Sequence, residues 1–285
     1  MGALLMGAVA YDPKVVTIWD GFRRFFARHD LDFDYVLYSN YERQVDDLLA
    51  GRIHAAWNSP LAWVRARRLG EAAGVGVSAL AMRDSDRDLT TVVVVRADSP
   101  VTEPAGLRGR LVGTGAVDSP QATLLALHHL AGLGLAPGTD VEVRRFDVGV
   151  GLHGDHIGGE RDAAAALAAG EVDAACMVDG NHLLFTREGT LAAGATRILT
   201  QTGAYDHCNM TVTDAGPPEA LRRFKDLLLA MDYADPEVRP LLDLEGLKQW
   251  LDGRTSGYAA LEAAVDGLGF YDGKGAITAG PDYRP

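Results

Sequence analysis

The sequence predicts an α/β protein made of two similar units, each a mostly parallel sheet with helices on both faces. Three observations point there. Short apolar or β-branched runs alternate with stretches of helical periodicity as far as residue 178. The alternation restarts after Ala97-Asp98-Ser99-Pro100. A stretch of the first unit also returns in the second: Leu48-Leu49-Ala50-Gly51-Arg52-Ile53-His54-Ala55-Ala56 matches Leu167-Ala168-Ala169-Gly170-Glu171-Val172-Asp173-Ala174-Ala175.

In chain order, residues 3–10 are an apolar strand, and 14–28 a helix with Val15, Ile18, Trp19, Phe22, Phe25 and Phe26 on one face. Strands at Phe33–Tyr38 and 55–57 then alternate with helices at 41–50 and 61–69. Residues 75–82 and 90–96 are strands, and the β-branched Thr-Thr-Val-Val-Val-Val of the second marks a position covered on both faces. After the restart come a strand at Leu111–Thr114, a helix at 120–133, a strand at 140–146, a helix at 163–169 and a strand at Ala174–Val178. In both repeat copies a glycine closes the helix, where a positive φ is cheap, and a short buried strand follows.

Composition bounds the function. With 47% hydrophobic and 23% charged residues the chain is neither disordered nor a coiled coil. A formal charge of −12 argues against nucleic acid and anionic membranes as main partners and says nothing against a small anion held by local dipoles. Two cysteines are too few for a four-thiolate zinc module. The first ten residues are apolar but lack a basic start, and no stretch reaches the ~18 continuous apolar residues of a membrane helix. The protein is therefore expected in the cytoplasm as written, or outside it if a leader has been removed.

The paired Gly-x-[Ile/Val]-x-Ala-Ala segments carry a resemblance, together with Leu107-Arg108-Gly109-Arg110-Leu111-Val112-Gly113 and Asp118-Ser119-Pro120-Gln121-Ala122-Thr123 opening a long helix. From Gly7 to about Tyr271 the chain resembles the type II periplasmic-binding-protein fold, in its phosphate/phosphonate (PhnD-like) and SsuA/transferrin-like group. The resemblance implies two lobes closing on a ligand, two crossover strands between them, and a last third returning to lobe one. Crossings are expected near 94–97 and 207–213, which makes lobe one 1–95 plus 210–285 and lobe two 96–209. It also implies an ABC permease as partner, provided an export leader precedes Met1.

Candidate ligand residues sit at helix starts. Ser39, Asn40 and Tyr41, Asn58 and Ser59, and Ser119, Gln121 and Thr123 place hydroxyls and amides where free N–H groups and the helix dipole favour a phosphonate, phosphate, sulfonate or carboxylate. The same residues serve equally as ordinary N-caps. Tyr11, Trp57 and Trp63 could wall the pocket, and Asp179 and Asn181 follow the matching strand of the second unit. The C-terminal run from Gly273 reads as a loosely held tail.

A second set suits chemistry rather than transport. The loop His153-Gly154-Asp155-His156, His182, and His207-Cys208 are expected to approach one cleft. Asp155, His156, His207 and Cys208 are candidates for acid/base or thiol catalysis, and a thiol beside an imidazolium is activated. His153, His156, His207 and Cys208 could together hold zinc or iron. His29, His128 and His129 read as structural, and Cys176 as core. Two readings stand: a binding module for a small anion, or a cytosolic enzyme on the same scaffold acting on a small acid.

Overall fold

A computed structural model describes residues 3–154, 157–281 and 283–285. The first sheet holds six strands in the order β2-β1-β3-β10-β4-β11: β1 (Leu4–Val9), β2 (Phe33–Tyr38), β3 (Ala55–Asn58), β4 (Val77–Arg83), β10 (Asn209–Thr213) and β11 (Trp250–Asp252). The second holds five in the order β7-β6-β8-β5-β9: β5 (Thr91–Arg96), β6 (Leu111–Thr114), β7 (Glu142–Arg145), β8 (Ala174–Val178) and β9 (Thr196–Gln201). Helices α1 (Lys14–Arg28), α2 (Tyr41–Leu49), α3 (Pro60–Ala73) and α7 (Pro218–Leu229) serve the first lobe. The second has α4 (Leu125–Gly132), α5 (Glu160–Ala168) and α6 (Asp179–Glu188), and α8 (Arg239–Glu245) and α9 (Ala259–Leu268) close the chain.

The internal repeat is structural. Gly51 and Gly170 both sit at positive φ, 69° and 75°. The strand after each lies parallel beside the first strand of its unit, with Gly7 opposite Ala56 and Gly113 opposite Ala175. The backbone N–H before each strand donates to the same neighbour, His54 to Leu5 and Asp173 to Leu111.

Each sheet has this parallel core and is completed by antiparallel strands, so both are mixed. Strand β5 runs antiparallel between β8 and β9, and β10 antiparallel between β3 and β4. These two strands are exchanged: each unit sends its fifth strand into the sheet of the other. The first passage between lobes therefore lies at 84–90, before β5, and not at 94–97. The second lies at 202–208. Val92 and Val94 face one core of lobe two, Val93 and Val95 the other. A β-branched run signals such a doubly covered strand but does not name its sheet, which is why the expected boundary at residue 95 falls late. The two passages pair through Leu89 and Tyr205, which exchange both backbone hydrogen bonds.

The last third works mainly on lobe one. Helix α7 packs Leu221, Phe224, Leu227 and Leu228 under the first sheet with the buried face of α1. Helix α9 lies in the seam: Leu261, Ala264 and Val265 share a cluster with Trp63 of α3 and with Leu124 and Leu125 of lobe two. Phe270 and Tyr271 join this cluster ahead of the tail, and Tyr283 anchors the tail itself there, so its described end is not loosely held.

Candidate functional site

The helix starts expected to cradle a ligand are capped. Asn40 Oδ1 accepts from Arg43 N at 2.9 Å, Ser59 Oγ from Ala62 N at 3.1 Å, and Ser119 Oγ from Ala122 N at 3.1 Å. The last opens a wide π-turn, Pro120–Leu124, that runs into α4. All three starts meet the same element, the lobe-two loop between β7 and α5. Tyr41 N donates to Gly151 O at 3.3 Å, and a Cβ on Gly154 would stand 2.5 Å from that of Ser119.

The centre of this meeting is His153. Its ring stacks on Tyr41 with centroids 4.7 Å apart and planes 17° off parallel. Nδ1 lies 2.6 Å from Ser59 Oγ, and Nε2 2.9 Å from Glu42 Oε1. The same carboxylate oxygen accepts from Tyr271 and Tyr283 at 2.8 and 2.5 Å. Burial works against a charged Glu42. The His153 ring and the two hydroxyls outweigh it and bring the pKa down to about 2. Behind the loop, Asp118 Oδ2 accepts from Gly151 N and His153 N at 2.7 and 3.1 Å. Burial pushes the Asp118 pKa up in spite of these bonds.

Gln121 links this cluster to the hinge. Its Nε2 donates to Gly154 O at 2.9 Å, and its Oε1 lies 3.4 Å from His207 Nε2. His207 Nδ1 is 3.1 Å from Cys208 Sγ and 3.5 Å from Asp86 Oδ1. Asp86, His207 and Cys208 are all buried, with ligand atoms within 4.8 Å of one another, close enough to share a metal ion. Asp86, however, already grips Arg83 by both oxygens, at 2.6 and 2.9 Å. Burial opposes that charge, but the guanidinium prevails and holds the carboxyl well below its usual range. An added cation would have to displace Arg83.

The expected four-ligand metal set does not assemble among the described residues. His153 belongs to the Glu42 cluster, His207 and Cys208 to the hinge. His156 and Asp155 lie outside the described residues. His182 bonds Thr196 Oγ1 at 3.0 Å within lobe two. Ser39 is exposed beside Arg43 and Asp47. Asn58 is fully buried and donates to Thr211 Oγ1 at 2.9 Å, a contact inside the first sheet's surroundings. Thr123 lies in a groove with Leu124, Leu127 and Phe270. Trp57 and Trp63 are core, Trp57 beneath Arg83 and against Trp250, Trp63 against Tyr258.

Asp179 Oδ1 accepts from the adjacent Gly180 N at 2.7 Å, while Asn181 Nδ2 donates at 2.7 Å to the buried Glu160. Tyr11 lines a cavity of about 400 Å³ between the lobes, with Lys14 on one side and Leu152, Gly158, Gly159 and Arg161 on the other. Sequence reasoning missed Glu42, Asp118, Glu160, Tyr271 and Tyr283. A carboxylate directly after a capped helix start was the available signal for Glu42. Nothing local marks the two tyrosines.

A family model for the periplasmic substrate-binding protein of phosphonate ABC transporters matches residues 9–258. Solved structures of similar fold include PhnD1 from Prochlorococcus marinus in complex with methylphosphonate, 18% identical, covering 94% of this chain and 98% of that one at a TM-score of 0.67. XAC2383 from Xanthomonas citri bound to ATP is 17% identical, covering 93% and 98% at 0.68. The aliphatic sulphonate binding protein SsuA from Escherichia coli is 17% identical, covering 93% and 83% at 0.53. The family is periplasmic, so the cytoplasmic expectation has no support here, and no helix among the described residues is long and apolar enough to cross a membrane. The match runs through both sheets and both passages between them, and the chain belongs to the family of phosphonate-type periplasmic substrate-binding proteins of ABC transporters.

Proposed function

We propose that this protein closes its two lobes on a small anion of the phosphonate or sulfonate class, outside the cytoplasm, and presents it to an ABC permease. The observation that carries the reading is the family match across residues 9–258, which includes both lobes and the hinge. The ligands named for PhnD1 and SsuA are of this size and charge. The interlobe cavity supports it as well. About 400 Å³ suffices for such a molecule, and Lys14 and Arg161 stand on opposite walls among Asp12 and Asp162, with Arg161 also paired to Glu188. Tyr11, Tyr41, Ser59, Ser119 and Gln121 are the proposed polar contacts on closing. The enzyme reading is not favoured: Cys208 is buried, and the carboxylate beside it is committed to Arg83.

Binding to the folded form alone stabilises it, by about 2.7 kcal/mol when free ligand is 100 times its Kd. Thermal melts with methylphosphonate, phosphate, alkanesulfonates and simple carboxylates test the proposal. A rise in melting temperature with phosphonates or sulfonates, weakened in Lys14→Ala, is expected. No shift with any of them at millimolar concentration refutes the ligand class.

A further inference from the structure

We propose that residues 149–154 form an autoinhibitory latch. In it His153 of lobe two docks on the starts of α2 and α3 and holds the lobes together, and the lobes must release it to open for a ligand. The idea takes from the preceding reading only that the lobes open and close.

The lobe-one groups at the starts of α2 and α3 are spent on this loop. The Tyr41 ring is covered by the imidazole, Ser59 Oγ and Glu42 Oε1 engage its two nitrogens, and Tyr41 N–H donates to Gly151 O. Leu152 packs on the lobe-one cluster around Tyr41 and Val45. The loop is nevertheless built as part of lobe two, since Asp118 and Gln121 hold its backbone there. The contact must therefore break when the lobes part.

Two features show that the loop is shaped to deliver this side chain. His153 sits at φ 52°, a left-handed conformation that a residue with a Cβ adopts at a cost, and it is 1% exposed. Gly151, at φ 85°, lets the backbone come against Asn40 and Pro285, where a Cβ would meet atoms at 3.5 and 3.4 Å. The tail adds a strap. Tyr283 reaches the same Glu42 oxygen and lies 3.3 Å from His153 Nε2. The His153 imidazole and two phenols thus converge on one buried carboxylate, with Ser59 Oγ at the other nitrogen of the imidazole, so that lobe two and the tail are both tied to lobe one.

Small-angle X-ray scattering of the full chain without ligand tests the latch. A compact chain of this length has a radius of gyration of about 19 Å. Wild type is expected near that value, His153→Ala larger, and the tail variant His153→Ala/Tyr283→Phe larger still. His153→Gln, which can still donate to Glu42, should fall between wild type and His153→Ala. Added methylphosphonate should contract His153→Ala more than wild type. Equal radii for folded wild type, His153→Ala and the double variant without ligand overturn the latch. A wider His153→Ala that methylphosphonate does not contract supports the latch and counts against the proposed ligand instead. Should His153→Ala fail to fold, the ligand-free comparison alone is made with Ser59→Ala, which removes the Nδ1 contact from the other lobe, and equal radii there overturn the latch.

Discussion

Glu42 and Glu160 are both buried carboxylates near the seam, and their surroundings treat charge in opposite ways. Glu42 is lowered to about 2 from an ordinary 4.5, so its contribution to stability is present above pH 4.5 and lost as pH falls toward 2. Glu42→Gln should cost about 2–3 kcal/mol at neutral pH, the worth of hydrogen bonds to a charged group. The gap from wild type should shrink across that acid window in denaturant titrations; a constant gap would show that Glu42 is not charged in the fold. Burial raises Glu160 in spite of bonds from Asn181 and Val178 N. Its neutral form is favoured in the fold, so its contribution is best below pH 4.5 and is lost as pH rises through its native value. Glu160→Gln keeps an acceptor for both donors and removes the charge. It should raise the melting temperature at pH 8 by roughly 2–4 °C, about 1 kcal/mol in a chain of this size, and the gain should vanish in acid. A lower melting temperature at pH 8 would mean that the charge has a function.

Elements were legible where their cause is local. A cap lies three residues from the N–H it serves, so Asn40, Ser59 and Ser119 announce helix starts in the sequence itself. Hydrophobic spacing likewise marks α1, β2 and β8 at their observed limits. Strand partners are not local. Nothing in the text of β5 or β10 says that each joins the sheet of the other unit. The site depends on the same long-range information, for Tyr271 and Tyr283 reach Glu42 across 229 and 241 residues. The loop before α5 is legible as polar and glycine-flexed, but spacing alone presents His153 as a metal ligand and cannot reveal Tyr41, Glu42 and Ser59 in the other lobe. The same loop sets up a test. Gly159 begins α5 at φ 81°, and a Cβ there would stand 2.0 Å from Phe146 O. Gly159→Ala should cost about 2–3 kcal/mol, strain plus clash, in equilibrium unfolding. Gly180→Ala, where a Cβ meets nothing within 4 Å, should be near neutral. Equal effects would mean that the α5 start relaxes freely.

At the scale of the molecule, the exchange of β5 and β10 makes the two lobes interdependent, and the chain passes between them at 84–90 and 202–208. One residue from outside both segments ties them. Arg254, just after β11, holds Asp206 through Nε and Nη2 at 2.7 and 2.6 Å and Asp88 through Nη2 at 2.7 Å. Asp206 is 1% exposed, and Asp88 N and Asp206 N, which donates to Gly257 O, complete its cage. Removing the cation strands a buried charge, which typically costs 3–5 kcal/mol. Arg254 is about a third exposed and water can partly replace it, so about 2 kcal/mol is the expected loss for Arg254→Ala. Arg254→Lys should recover less than half, because an ammonium cannot fork across Asp206 while reaching Asp88. Because the clamp belongs to the hinge and not to the lobe faces, Arg254→Ala should also broaden the range of open forms, seen as a larger ligand-free radius of gyration at temperatures well below its melting point. A stability loss with an unchanged radius would place the clamp in the fold alone and leave the lobe angle to the contacts of His153.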